Sequence, residues 1–466
     1  MIEKAEIDHK SEELGVHVSN VQRDYVFGWL LAGLFQSDNQ LQNKLILKGG
    51  NAFRKAYFEN ARFSNDLDFS TQVELNDSIL KESIKKACCF ANKLSGVRFL
   101  PDDSRIGQRD FADEDSKLYE ARVYFKSFYG EENIIIKVKL DIKEYDKIFL
   151  PIQTRKLIHA YSDAQLCQAD LRCFKLEELL ALKLRALLQR QHSPDLYDFV
   201  YSVLFQKTRD IRRLEVITTF LKKTIYEPNP QIAKSLLLDL PFQVIKGLWN
   251  KYLVCPKLSL IAYEEAESRF RNVIEDLFAL LEPKYTTAGM PRGTGLSYFS
   301  SKNRDIIMEA GRLERVLQLT YDGIERHVEP YSLAFKRRKD GIAREYFYVW
   351  DLSGGRSGKK GIKSFIAEKL RSIEMTEDTF KPRYPIELAK IGGYFGKPYF
   401  SASTSHSTSS KRSRGPSQYA FKCIIECPYC GKRFNRTAIN TQLNEHKDRL
   451  GNPCYGRIGV IVSTGI

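Results

Sequence analysis

Asp66 and Asp68 stand two residues apart in the run "NDLDFST", a short distance after the glycine pair Gly49 and Gly50. Side chains alternate faces along a strand, so both carboxylates project from one side, roughly 7 Å apart along the chain. Left alone they repel. A cation between them removes the repulsion, and Mg²⁺ suits such a pair because it takes one or two protein carboxylates and completes its shell with water and phosphate oxygens. A third acid, Asp141, ends the alternating run "IIIKVKLD", from which a neighbouring strand can present it to the same metals. The glycines fit the other half of such a centre. Without Cβ atoms the backbone approaches a polyphosphate closely, and a helix that follows offers N–H groups and a positive dipole end. Two acids at a strand end are commonplace; joined to the glycine pair and a second acid-bearing strand, they point to two-metal nucleotidyl transfer.

The elements that must hold these groups follow from periodicity. "KLILK" predicts a short strand, "GGN" a turn, "AFRKAYFEN" a helix and "DLDFS" the acidic strand. Further strands are expected at "GVRFL", at "LYEARVYFKSF" and, most strongly alternating, at residues 133–142. Helices are expected over 20–36, 78–94 and 175–190, with helical patterns continuing to about residue 282. On the third helix Leu176, Leu179, Leu180, Leu184 and Leu187 form an apolar stripe with Lys183 in its middle. A lysine there snorkels, pairs with an acid or meets an anion.

The segment "LKGGNAFRKAYFENARFSNDLDF" resembles the signature of the AbiEii/AbiGii nucleotidyltransferase toxins, a branch of the polymerase-β-like superfamily. Arg62, Ser64, Asp66, Asp68 and Phe69 fill its R-x-S-x-D-[LI]-D-F pattern in order, while Asn51 stands where Thr or Ser is usual. Lys183, Asp195 and Asp198 match the family's helical motif, with Pro194 in place of a basic residue. The likeness covers most of residues 1–283. It implies a polymerase-β-like domain with a helical lobe, Mg²⁺ or Mn²⁺, and an NTP substrate. Asp66, Asp68, Asp141, Lys183 and Asp198 would be catalytic, with Gly49, Gly50, Asn51, Arg62, Ser64, Lys183 and Asp195 around the nucleotide. An ion pair with Arg185 or Arg190 is the structural alternative for Asp198. The resemblance also implies a toxin of a type IV toxin–antitoxin pair or an abortive-infection system. Its acceptor would be RNA, with tRNA expected, and its partner an antitoxin.

After a linker at 284–303 come "LTYDGIERHVEPYSL", "EYFYVWDL" and "IKSFIAEKLRSIEMTEDTFKPR", by which residues 304–395 resemble a WYL domain, an SH3-like β-barrel that implies a nucleotide or nucleic-acid ligand. Arg326, Tyr331, Arg338 and Lys369 are the candidate contacts; alternatively Tyr331 is core and "KRRKD" a solvated hairpin tip. A second linker, 396–419, precedes a tail at 420–466. There Cys427, Cys430, His446 and Cys454 have the spacing of a tetrahedral Zn²⁺ site, which would drive folding of so short a segment. Lys432, Arg433 and Arg436 beside it could hold phosphates.

The whole reads as an α+β multidomain protein, since 466 residues exceed one ordinary core. Lys and Arg exceed Asp and Glu by 15, with ten against three in residues 401–466, which favours polyanionic partners. The apolar run "YVFGWLLAGLF" is about half a membrane span, and no signal-peptide core opens the chain, so a cytoplasmic protein without membrane contact is expected. Nine cysteines in such a chain do not read as a disulfide framework. Two other readings stand beside RNA modification: a nucleic-acid-binding regulator with a non-catalytic transferase fold, and a transferase acting on a protein side chain.

Overall fold

The computed structural model describes residues 2–36, 38–109, 118–127, 135–205, 210–281, 296–337, 343–384, 386–388, 422–427, 432–436, 441–447, 453–454 and 458–465. Seven strands form one mixed sheet: β1 (Ile46–Lys48), β2 (Asp66–Thr71), β3 (Arg105–Arg109), β4 (Leu118–Lys126), β5 (Ile135–Glu144), β6 (Gln153–Lys156) and β7 (Asp170–Cys173). Their order is β3-β4-β5-β2-β1-β7-β6, with β2 parallel to β5 and β1 parallel to β7. The two-residue period sorts the faces. Leu67 and Phe69 of β2 and Val138, Leu140 and Ile142 of β5 are buried in the main core, which also takes in the helices Val18–Leu34 and Asp77–Ser95. The intervening Asp66, Asp68, Lys139 and Asp141 are left on the opposite face.

Two expectations change. "GGN" is not a turn ahead of a helix: Gly49 makes the turn itself, at φ +70°, and is the first residue of the short helix Gly49–Ala52. A π-helical turn, Phe53–Tyr57, follows. "GVRFL" gives only an isolated bridge between Phe99 and Phe125, and the edge strand β3 starts later, at Arg105.

The helix Leu176–Arg190 opens a helical lobe that continues through Ser193–Val200 to Tyr263–Ala279. Next comes a five-stranded antiparallel sheet: β8 (Arg315–Tyr321), β9 (Ile324–Arg337), β10 (Ala343–Asp351), β11 (Gly361–Ile366) and β12 (Leu370–Thr379), in the order β11-β10-β9-β8-β12. It shares a core with the helix Ser301–Leu313 and with Phe299 just before it. This unit docks on the end of the helix Leu176–Arg190. Arg304 donates to Leu188 O at 2.6 Å and to Tyr226 Oη at 2.9 Å, and Gln189 donates to Leu333 O at 2.8 Å. The described tail comprises β13 (Lys422–Glu426), β14 (Arg433–Arg436), β15 (His446–Lys447), β16 (Pro453–Cys454) and β17 (Val460–Gly465). Among the described residues no helix is long and apolar enough to cross a membrane.

Candidate active site

Strand register brings the three aspartates together. Asp68 pairs with Asp141 across the parallel β2–β5 ladder, and Asp141 pairs with Glu120 across β4–β5. Directly paired residues share a face, so a row of acids crosses three strands, with Asp66 one step away on the same face of β2. Asp66, Asp68 and Asp141 are each partly exposed, which lets a cation reach them. Enough protein surrounds them to penalise charge. Burial pushes Asp66 up to about 7, with Asp141 and Asp68 adding repulsion and Lys139 opposing it. Asp68 is raised as well, first by burial and then by Asp141. Asp141 Oδ1 is a buried acceptor with no hydrogen-bond partner. Lys139 offsets only part of the negative charge on this row, and the row's hard oxygen donors fit a divalent ion of the Mg²⁺ type.

The glycines close the other side. A Cβ on Gly49 would stand 2.1 Å from Asp68 Oδ2, and one on Gly50 would meet Ser64 Oγ at 2.7 Å and Arg62 Nη2 at 2.9 Å. Only bare backbone lets these groups converge. Asn51, fully buried, donates to the Asp66 carbonyl at 2.7 Å, tying the glycine helix to the acidic strand.

Lys183 meets its acids. Its Nζ lies 2.9 Å from Asp195 Oδ1 and 2.7 Å from Asp198 Oδ2. Arg62 grips Asp198 with two bonds, at 2.7 and 2.8 Å, and Arg190 grips Asp195 at the same two distances. The partners of Asp198 are therefore Arg62 and Lys183, not Arg185 or Arg190. Burial would raise Asp195, but Arg190 and Lys183 outweigh it and hold its carboxyl well below the usual range. Both carboxylates are engaged by internal cations, an arrangement that positions Lys183 and Arg62 beside the glycine turn. Lys183 is near enough to Asp68 to favour its ionised form.

Glu120 and Lys139 were missed by sequence reasoning. Lys139 Nζ lies 2.5 Å from Asp141 Oδ2 and 3.7 Å from Glu120 Oε2. Alternation in "KVKLD" does put Lys139 on the face of Asp141; which strand lies beyond it carries no local signal.

On the five-stranded sheet the expected contacts are mostly internal. Arg326 is buried against Asp351 at 2.7 Å, and Lys363 shares that carboxylate at 2.8 Å. Tyr331 is 1% exposed and donates to Glu329 at 2.7 Å, as core. Lys369 is exposed beside Asp322, and Arg338 lies outside the described residues. A cavity of about 760 Å³ among the described residues of this unit is lined by His327, Glu329, Phe380, Lys381 and Arg383 among others.

In the tail, Cys427, His446 and Cys454 bring one ligand atom each within 4.8 Å of one another, and the two sulfurs are 3.6 Å apart. His446 Nδ1 contacts Asn444 O at 2.9 Å. A carbonyl only accepts, so Nδ1 carries the proton and Nε2 is the nitrogen set to bind metal. Cys430 lies outside the described residues. Lys432 is exposed; Arg433 and Arg436 are on β14.

Residues 30–253 match the model of the family described as nucleotidyl transferase AbiEii toxin, type IV TA system. No curated protein matches the chain in sequence. Among solved structures the chain is similar to MenT4, the nucleotidyltransferase toxin of Mycobacterium tuberculosis H37Rv, with 20% identity over 58% of this chain and 89% of that one at a TM-score of 0.40. It is also similar to JHP933 from Helicobacter pylori, with 17% identity over 57% and 94% at a TM-score of 0.36. The matched span contains the glycine turn, all three aspartates and the Lys183 cluster. The match to the AbiEii nucleotidyltransferase toxin model is thus confined to residues 30–253, and the chain that carries this span is a nucleotidyltransferase.

Proposed function

We propose that this protein is a divalent-metal-dependent toxin that transfers NMP from an NTP to an RNA acceptor, with tRNA the expected acceptor, and that an antitoxin restrains it in a toxin–antitoxin or phage-defence setting. The observation that carries this reading is the register of Asp68 with Asp141, beside Asp66 and against the Gly49 turn. Asp66, Asp68 and Asp141 would hold Mg²⁺ or Mn²⁺, which supplies charge stabilisation for the displaced phosphoryl oxygens and acidifies the acceptor hydroxyl. The bare backbone at Gly49 and Gly50 receives the triphosphate, with Arg62, Ser64 and Lys183 alongside. The acceptor oxygen bonds to the α-phosphorus as the bond to the β-phosphate oxygen breaks. Pyrophosphate leaves, and the hydroxyl proton passes to solvent.

Incubation with labelled NTPs and total RNA tests this. The label should move to RNA with wild type and not with Asp66→Ala. Equal transfer by both, or label on protein instead, defeats the reading.

The tail would hold structural zinc on Cys427, Cys430, His446 and Cys454, leaving no open position for chemistry. The five-stranded unit, read as WYL-like, and the basic residues Lys432, Arg433 and Arg436 would then contact nucleic acid or a nucleotide.

A further inference from the structure

The open face of the large sheet carries two neighbouring cross-strand rows of opposite sign. One is the acidic row Glu120, Asp141 and Asp68. The other runs Arg105, Arg122 and Lys139 across β3, β4 and β5 and ends on Asp66 of β2. One step further along the same face, Lys137 stands opposite Tyr124. Cations directly opposite one another on adjacent strands repel and weaken the sheet. Part of that repulsion is offset by the acidic row: Arg122 bonds Glu120 at 2.7 Å and Lys139 bonds Asp141 at 2.5 Å. Arg105 and Lys137 are exposed, and neither has a salt bridge to any other described residue. Their charge faces outward; Glu120 and Asp66 attract Lys137 only at a distance, without a salt bridge.

We propose that this cationic row is the track for the phosphate backbone of the single-stranded end of the RNA acceptor, with Tyr124 offering a ring for base stacking. The proposal rests on the nucleotidyl-transfer reading above and adds where the acceptor lies. Strand order supports it. β2 stands between β1, whose end runs into Gly49, and β5, which carries Lys139, the last cation of the row. A triphosphate on the glycine turn and a strand on the row therefore approach Asp66 and Asp68 from opposite flanks. That is the arrangement in-line displacement needs, with attacking and leaving oxygens on opposite sides of the phosphorus. Across three strand spacings the row extends about 15 Å, long enough for more than one phosphate. A row that stops on a carboxylate delivers the terminal hydroxyl to the metal site, because the backbone behind it is held and Asp66 repels further phosphates.

The test uses the full chain, with a fluorescent single-stranded RNA of about 16 nucleotides and bulk tRNA as probes. Affinity is followed by anisotropy across a salt series. Arg105→Glu with Lys137→Glu should weaken both RNAs at least tenfold and lower the salt slope by about 1.4, the loss of two single-strand phosphate contacts. Calorimetric affinity for Mn²⁺ with NTP should stay unchanged, and the charge-conserving pair Arg105→Lys with Lys137→Arg should bind RNA as wild type does. Unchanged RNA affinity and slope in the reversed pair would overturn the track, as would equal loss in the charge-conserving pair. Wild type that moves no label to RNA would sink the underlying reading; transfer that persists undiminished in the reversed pair would sink only the track.

Discussion

The ammonium of Lys139 lies 2.5 Å from Asp141 Oδ2, so the cation nearest the carboxylate row belongs to the chain itself. A metal entering that row meets a like charge already in residence. Replacing it with an apolar side chain of similar length should ease entry. Lys139→Met is expected to tighten Mn²⁺ binding to the nucleotide-free protein about tenfold, since a like charge a few ångströms away at intermediate screening costs on the order of 1–3 kcal/mol. Isothermal titration or the Mn²⁺ spin-resonance signal measures it. Unchanged or weaker binding would show that Lys139 does not compete with the ion.

Asp66 gives the metal-free protein a pH signature. Its carboxyl is raised to about 7 from an ordinary 3.8, chiefly by burial. Between those values the folded protein keeps a proton that the unfolded chain has lost, so this group's contribution to stability declines as pH rises from about 4 to about 7. Bound Mg²⁺ needs the ionised form and reverses the trend. Melting temperatures at pH 5 and about pH 8, with and without Mg²⁺, should show the larger gain from metal at the higher pH, and Asp66→Asn should flatten the difference.

Gly49→Ala is expected to cut transfer about 100-fold while leaving the fold. The new methyl would sit 2.1 Å from Asp68 Oδ2 in a backbone conformation, φ +70°, that alanine adopts at a cost. Displacing a carboxylate by about 1 Å costs on the order of 100-fold in rate. Near-wild-type label transfer would mean that Asp68 can move without consequence.

The buried cluster around Lys183 is a matter of stability as well as chemistry. Asp198→Asn leaves Arg62 and Lys183 without a carboxylate that both contact within 2.8 Å. Breaking a buried pair from one side costs about 3–5 kcal/mol, which denaturant unfolding should register as a lower midpoint at an unchanged slope. A change below about 1 kcal/mol would place the cluster in a better solvated setting than its burial indicates.

Cys427, His446 and Cys454 converge where, among the described residues, the apolar core is only Ile425, Leu443 and the two sulfurs with Phe434 packed against them. Purified protein should carry about one zinc per chain, and its removal by chelator should unfold the tail. Cys454→Ser should lose the metal by elemental analysis while the matched domain at 30–253 keeps its thermal transition. Full zinc content in that variant would remove Cys454 from the ligand set.

Alternation disclosed the shared face of Asp66, Asp68 and Asp141, because a strand has a two-residue period and apolar neighbours mark the inner face. It could not disclose what lay beside them. Arg62 and Asp198 are 136 residues apart in sequence, and their pairing depends on how the helical lobe folds back on the sheet. The same holds for Glu120, whose place in the acidic row follows from strand order. Arg326 lies on a long strand that is buried over much of its length, so residue type pointed outward where packing points inward, while Tyr331 on the same strand takes the core alternative. "GVRFL" has strand composition, yet the chain next makes a 3₁₀ turn at Pro101–Asp103 and takes the sheet edge with a more polar segment.

The last carbonyls of any helix lack partners within it, and on the helix that bears Lys183 one of them, Leu188 O, is taken by Arg304 from beyond the 282–295 stretch. Composition invites a cut there to obtain a minimal enzyme. Such a truncation would strip an arginine from the end of the helix that bears Lys183 and uncover Tyr226 in the same stroke. A fragment ending at that apparent seam is accordingly expected to melt at a lower temperature than one that keeps Arg304.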